Sequence, residues 1–161
     1  MAAQGEAHAF ARLLLCRVGS KVCGLPLAQV LETLRPLPVE PLAELPRFVR
    51  GLSLIRGRPT PVVDARTLLG SDDRRAAGRY VTLRCDARAQ RVAALAVDAV
   101  LNVIALAPDT LEALPQLLQA AQGDLVSALG SLDRELLLVL EHGRLLPDEL
   151  WQRLETREAR A

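Results

Sequence analysis

Short aliphatic stretches, broken at close intervals by Gly, Pro, Asp or Ser, run along most of this chain, a pattern that predicts many short strands rather than a few long helices. Residues 1–10 (MAAQGEAHAF) show no periodicity and are expected to form a flexible N-terminal tail. In ARLLLCRVGSKVCGLPL two apolar segments flank Gly19 and Ser20, which predicts an antiparallel pair with a tight turn. Val30, Leu31 and Leu34 recur at helical spacing, but AQVLETL is too short to stand as a helix, so a single turn leading into an extended segment fits as well. Pro36, Pro38, Pro41 and Pro46 exclude regular helix from 35 to 46.

Residues 48–70 read as strand, turn at Gly57, strand, and a stop at Gly70. Pro59 and Pro61 lie two apart, so both missing N–H groups fall on one side, which predicts an edge strand. SDDRRAAGR is a charged connector, and YVTLRCD with RVAALAVDAVLNVIAL gives the next strand pair, stopped by Pro108. Asp109 and Glu112 resemble a capping box, so a short helix can begin there before Pro115 interrupts it. LVSALGSLDRELLLVLEHGRLL predicts two strands around a turn. Pro147, Asp148 and Glu149 suit the first turn of a C-terminal helix whose apolar face is Leu150, Trp151 and Leu154.

The chain also repeats itself. Residues 24–33 align with 94–103, and residues 48–69 align without a gap with 125–146, pairing Val49 with Val126, Val62 with Val139 and Asp64 with Glu141. Several short strands in each of two matching halves predict an all-β fold of paired small barrels. The expected organisation is the tail 1–10, one domain of two intertwined halves over 11–146, and a helix and tail over 147–161.

Composition narrows the function. Half of the 161 residues are hydrophobic, enough for a real core, and a net charge of +1 gives no overall argument for nucleic acid or an anionic membrane. The four aromatic rings, Phe10, Phe48, Tyr80 and Trp151, leave little for base stacking. Cys16, Cys23 and Cys85 lack metal or redox spacing and read as buried, reduced thiols of a cytoplasmic protein. No secretory leader or membrane-length apolar run is present, so direct membrane insertion is not expected.

Catalytic signatures are missing: there is no G-x-G-x-x-G, Walker A loop, H-E-x-x-H or G-x-S-x-G, and no metal or cofactor is expected. His142 lies in a turn beside Gly143 and reads as solvated. Asp64, Asp98 and Glu141 each end an apolar strand, the place of a carboxylate that accepts backbone N–H bonds; a phosphoacceptor role would need an acidic metal pair and a nearby lysine on a parallel sheet. Arg56 sits at a hairpin tip between Ile55 and Gly57 with no local acid to pair with, so it reads as an exposed cation.

The stretch AQVLETLRPLPVEPLAELPRFVRGLSLIRGRPTPVVDAR resembles the centre of the CheW family of chemotaxis coupling proteins. The likeness is carried by Val30 and Glu32, Pro46, Phe48 to Gly51, Ile55-Arg56-Gly57, and Pro61-Val62-Val63-Asp64 with Arg66. It continues through ALAVDAVLNVIAL and SALGSLDRELLLVLEHGRLL, covering about residues 11–146. The resemblance implies two SH3-like five-stranded β-barrels joined by short helices, no catalysis, and two partners: the cytoplasmic tip of a methyl-accepting chemoreceptor and the regulatory domain of a CheA-type histidine kinase. It also implies a place in membrane-proximal receptor arrays.

Carried over by position, Val30, Gly51 and Arg56 are expected at the receptor, and Glu32, Val39 and Arg50 at the kinase. Gly57, Pro61, Asp64 and Asp98 are expected to serve the fold. The chain departs from the family at Leu54, where Asn is usual, and at Ala94 and Ala128, where Gly is usual, which leaves open a divergent paralogue serving pilus, gliding or second-messenger output. Outside the family, the rivals are a small barrel enzyme, which lacks a visible polar pocket, and a nucleic-acid-binding barrel whose basic strip would be Arg47, Arg50, Arg56 and Arg58.

Overall fold

The computed structural model describes residues 11–73, 75–88, 90–107, 112–113, 126–132 and 135–160. β1 (Ala11–Val18) and β2 (Lys21–Pro26) form a hairpin around Gly19, and a 3-10 turn (Leu27–Gln29) leads into β3 (Val30–Leu34). β4 (Val49–Ile55) and β5 (Arg58–Asp64) form the second hairpin, followed by the short α1 (Ala65–Leu68). β6 (Arg79–Arg84), β7 (Val92–Val97), β8 (Ala99–Leu106), the two-residue β9 (Glu112–Ala113), β10 (Val126–Leu132) and β11 (Glu135–Leu140) follow. A 3-10 turn (His142–Arg144) and α2 (Asp148–Arg160) end the chain.

The strands make two sheets, ordered β8-β1-β2-β11-β10-β9 and β3-β6-β7-β5-β4. Each centres on a hairpin, β1–β2 or β6–β7, with a parallel neighbour on the second strand and a strand from elsewhere in the chain on the first. The two sheets therefore repeat one another: β6 stands for β1, β7 for β2, β3 for β8, β5 for β11 and β4 for β10. The internal alignment holds to the residue. Val62 faces Ala94 as Val139 faces Gly24, and Val49 faces Val63 as Val126 faces Leu140. Register shifts fall at equivalent places, between Val49 and Gly51 and between Val126 and Ala128.

The central strands of each sheet are buried on both faces, which accounts for continuous apolar runs such as PVV and AALAV in place of strict alternation. The largest cluster draws on both sheets, with Leu14, Cys16, Cys23 and Leu25 against Val63, Val81, Leu83, Leu95 and Val97. Leu13, Leu15, Val22, Leu137 and Val139 fill the far side of the first sheet, and Ile55, Val62, Tyr80, Ala94 and Ala96 that of the second. Helix α2 starts where expected: the Pro147 carbonyl accepts from Leu150 and Trp151, and Leu150, Trp151 and Leu154 enter the main core. Arg91 clamps it, donating to Glu155 at 2.8 Å and Asp148 at 2.6 Å while its guanidinium lies over the Trp151 ring.

Several expectations need correction. β5 is an inner strand, not an edge: it pairs with β4 throughout, and with β7 only from Val62 onward, so the prolines limit its second ladder without removing it. RVAALAVDAVLNVIAL is two strands in different sheets, divided at Asp98. Glu112 is in a strand rather than a capping box; Pro108, Asp109, Pro115 and the tail 1–10 lie outside the described residues. The architecture is mostly β, in two sheets with a C-terminal helix, and among the described residues neither hydrogen-bonded ladder closes into a ring.

Gly51 has φ of 141°, and a Cβ there would land on the Glu40 carbonyl, whose strand segment bridges to Leu52. Gly57, at φ of 77°, has open space around it. Gly51→Ala is therefore expected to destabilise by about 3 kcal/mol and Gly57→Ala by about 1 kcal/mol in urea unfolding; equal effects would contradict the packing described.

Candidate functional site

The β4–β5 hairpin turns on two residues, Arg56 at φ 51° and Gly57 at φ 77°. Both being positive is the signature of the tight turn that matches strand twist, and it suits Gly but strains Arg by about 1 kcal/mol or more. From this tip the Arg56 fork grips Glu32 on β3, Nε to Oε1 at 3.1 Å and Nη2 to Oε2 at 2.8 Å. Glu32 is itself fixed at a register shift in the β3–β6 ladder: its N–H donates to Thr82 Oγ1 at 3.1 Å, and that hydroxyl donates back to the Glu32 carbonyl. Thr82 is buried.

β3 is an edge of its sheet, and the β4–β5 pair lies at the opposite side. The ion pair therefore joins the two ends of a sheet that has curled. Leu34, Ile55, Val62, Tyr80 and Ala94, one from each of the five strands, pack inside the curl. At its mouth, a pocket of about 140 Å³ lies under the ion pair, bounded by Leu31, Ile55, Thr60, Thr82 and Val92. The hydrogen bonds from Arg56 hold the Glu32 carboxyl below its ordinary pKa, outweighing its slight desolvation. The Arg56 side chain remains 81% exposed, so the pair presents charge more than it stabilises the fold.

Arg56 thus has an acid partner after all, 24 residues away, and the two residues expected at separate partners meet each other. No local spacing signals this, since it depends on the curl of the sheet. Val30, by contrast, is half-buried against the main core, and Gly51 is buried beneath Glu40. Of the residues expected at a kinase surface, Val39 packs on the Ile55–Tyr80 cluster. Arg50 bonds to buried Asp64 at 3.0 Å and to the Arg75 carbonyl at 2.8 Å, so both residues are engaged within the fold. Leu54, at the Asn position, is 67% exposed on edge strand β4, while Ala94 is buried in β7.

The strand-end carboxylates accept backbone N–H bonds. Asp64 accepts from the Arg66 N–H and caps α1, and Glu141 does the same for Gly143 in the equivalent turn of the repeat. Asp98 accepts from the Gly19 N–H and from the Arg66 fork at 2.9 and 2.8 Å. Gly57 makes the turn described above, and Pro61 faces Leu52 in β4. In the supposed basic strip, Arg47 pairs with Asp72, Arg50 with Asp64 and Arg56 with Glu32, while Arg58 bonds to the Gln90 carbonyl and has no acid partner among the described residues. Such a strip offers little to a phosphate backbone.

The three cysteines are buried and unbridged, and burial pushes each thiol up to about 12, which makes them unreactive at neutral pH. Among the described residues no cluster of His, Cys, Asp or Glu could hold a metal, and no helix is long and apolar enough to cross a membrane.

The CheW-like domain family matches residues 12–150. Chemotaxis protein CheW of Klebsiella aerogenes is 24% identical over 136 residues, which cover 84% of this chain and 81% of that protein. Among solved structures, the scaffolding protein TtCheW from Thermoanaerobacter tengcongensis is similar with a TM-score of 0.75 at 21% identity, over 84% of this chain and 92% of that one.

Burial alone would raise the Asp98 carboxyl, but the Arg66 fork and the Gly19 N–H hold it below its ordinary value. A depressed folded pKa gives stability that is full above the unfolded value, about 3.9, and is lost as pH falls through the folded one. Asp98→Asn is therefore expected to be the less stable protein at pH 7 and to close part of that gap as pH falls from about 5 to 3, read as urea midpoints. A constant gap over this range would show that the carboxylate charge is not what binds the joint.

Proposed function

The chain belongs to the CheW-like domain family, and on that premise we propose that it is a non-catalytic chemotaxis coupling protein linking receptor tips to a CheA-type kinase. The observation that carries this reading is the geometry at Arg56: a strained residue at an exposed tip, with its guanidinium aligned by the carboxylate of Glu32, whose backbone N–H and carbonyl are both bonded to the hydroxyl of a buried threonine. Strain of this kind survives where the surroundings over-determine it, and it concentrates at sites of recognition.

A guanidinium carries five N–H donors, and Glu32 takes only those on one edge. The remaining donors meet solvent, ready for carboxylates or backbone carbonyls of a receptor helical hairpin. The apolar rim supplied by Leu31 and Ile55 suits the aliphatic side chains beside such groups. In this reading each curled sheet is an SH3-like barrel whose ladder is left open, with the second one closed at its mouth by the ion pair. Arg50 and Val39 are engaged within the fold, so kinase binding is proposed from the family alone.

The test is a reconstitution with a receptor cytoplasmic fragment and the kinase. Arg56→Ala is expected to weaken receptor binding at least about tenfold while shifting the melting temperature by no more than about 2 °C and leaving kinase binding intact. Arg56→Lys should rescue only in part, because a point charge cannot reproduce the fork. Unchanged receptor affinity would remove Arg56 from the interface, and loss of folding would make it structural.

A further inference from the structure

A second cleft, of about 170 Å³, opens beneath α2 where β5 and β7 part. The strands separate because their ladder begins only at Val62 and Ala94, and Pro59 and Pro61 have no N–H to extend it. Leu42, Leu52, Pro59, Pro61, Trp151 and Leu154 give the cleft a mainly apolar wall, beside which lie Gln90 and Arg91, the latter held by Glu155 and Asp148. A dry apolar cavity of about 150 Å³ accommodates a benzene ring, so the space suits one ring or a short alkyl chain. Arg58 and Arg157 stand at the mouth, and among the described residues neither is paired with an acid. The acidic group in the rim, Glu155, is already engaged by Arg91.

We propose that this cleft binds a small amphipathic carboxylate, with its apolar body against Trp151 and Leu154 and its anionic end between Arg58 and Arg157. Guanidinium forks favour a planar carboxylate, and the aliphatic, proline and indole surfaces of the wall favour an apolar body. The wall is shared with the Arg56–Glu32 pocket through Arg58, Pro59 and Val92, which places the bound molecule two residues from the hairpin tip.

Trp151 is the only tryptophan, so its emission reports the cleft directly. Full-length protein titrated with 4-phenylbutyrate is expected to give a saturable emission change with a dissociation constant below about 1 mM, and 4-phenylbutan-1-ol to bind at least about tenfold more weakly. Arg58→Gln and Arg157→Gln, both surface changes, should each weaken the acid at least about threefold and leave the alcohol unaffected. The proposal is overturned by no saturable change up to about 10 mM, by equal binding of acid and alcohol, or by wild-type affinity in both variants whose melting curves match the parent.

Discussion

Asp98 sits where the chain passes from one sheet into the other, and its carboxylate ties that crossing to both. One set of bonds reaches the β1–β2 turn through the Gly19 N–H, and another reaches α1 through the Arg66 fork. Arg66 in turn follows Asp64, whose buried carboxylate caps α1 and holds Arg50 of β4. A relay of charge-assisted bonds thus runs from the second sheet to the turn of the first. Such bonds are roughly twice as strong as neutral ones, and removing one partner would leave a largely buried charge. Gly78 shows how tight the crossing is, because a Cβ there would meet the Asp98 carbonyl.

With the sheets fixed in this way, the second one curls far enough for a carboxylate on its first edge to reach an arginine at its last hairpin. The interior of the curl is apolar and accounts for stability; the ion pair at its mouth is exposed and does not. This division lets a strained, charged tip exist without weakening the core on which it stands. A recognition group borne by a rigid hairpin also loses little rotamer freedom on binding, which favours affinity.

Much of this was legible in the residues. The residues that the internal alignment matched hold equivalent ladder positions in the two sheets, because aliphatic spacing in a doubly buried strand repeats when its neighbours repeat, although the alignment did not say which strands pair. The carboxylates at strand ends were also readable, since their chemistry is local. The division at Asp98 was not: the run around it is apolar on both sides, and only contacts from Gly19 and Arg66, distant in sequence, impose the change of sheet. For the same reason the Asp64 partner of Arg50, 14 residues away, and the Glu32 partner of Arg56 were not foreseen. The proline pair signalled missing donors correctly, but that alone does not tell an edge strand from one whose second neighbour joins late.

The central claim is that Glu32 acts by aligning Arg56 for a receptor, and a double-mutant cycle in receptor affinity tests it most directly. Glu32→Gln should weaken binding several-fold in the parent protein and have no effect once Arg56 is alanine, because there is then nothing to align. Additive losses from the two substitutions would contradict the account, since they would mean that Glu32 meets the receptor independently of Arg56.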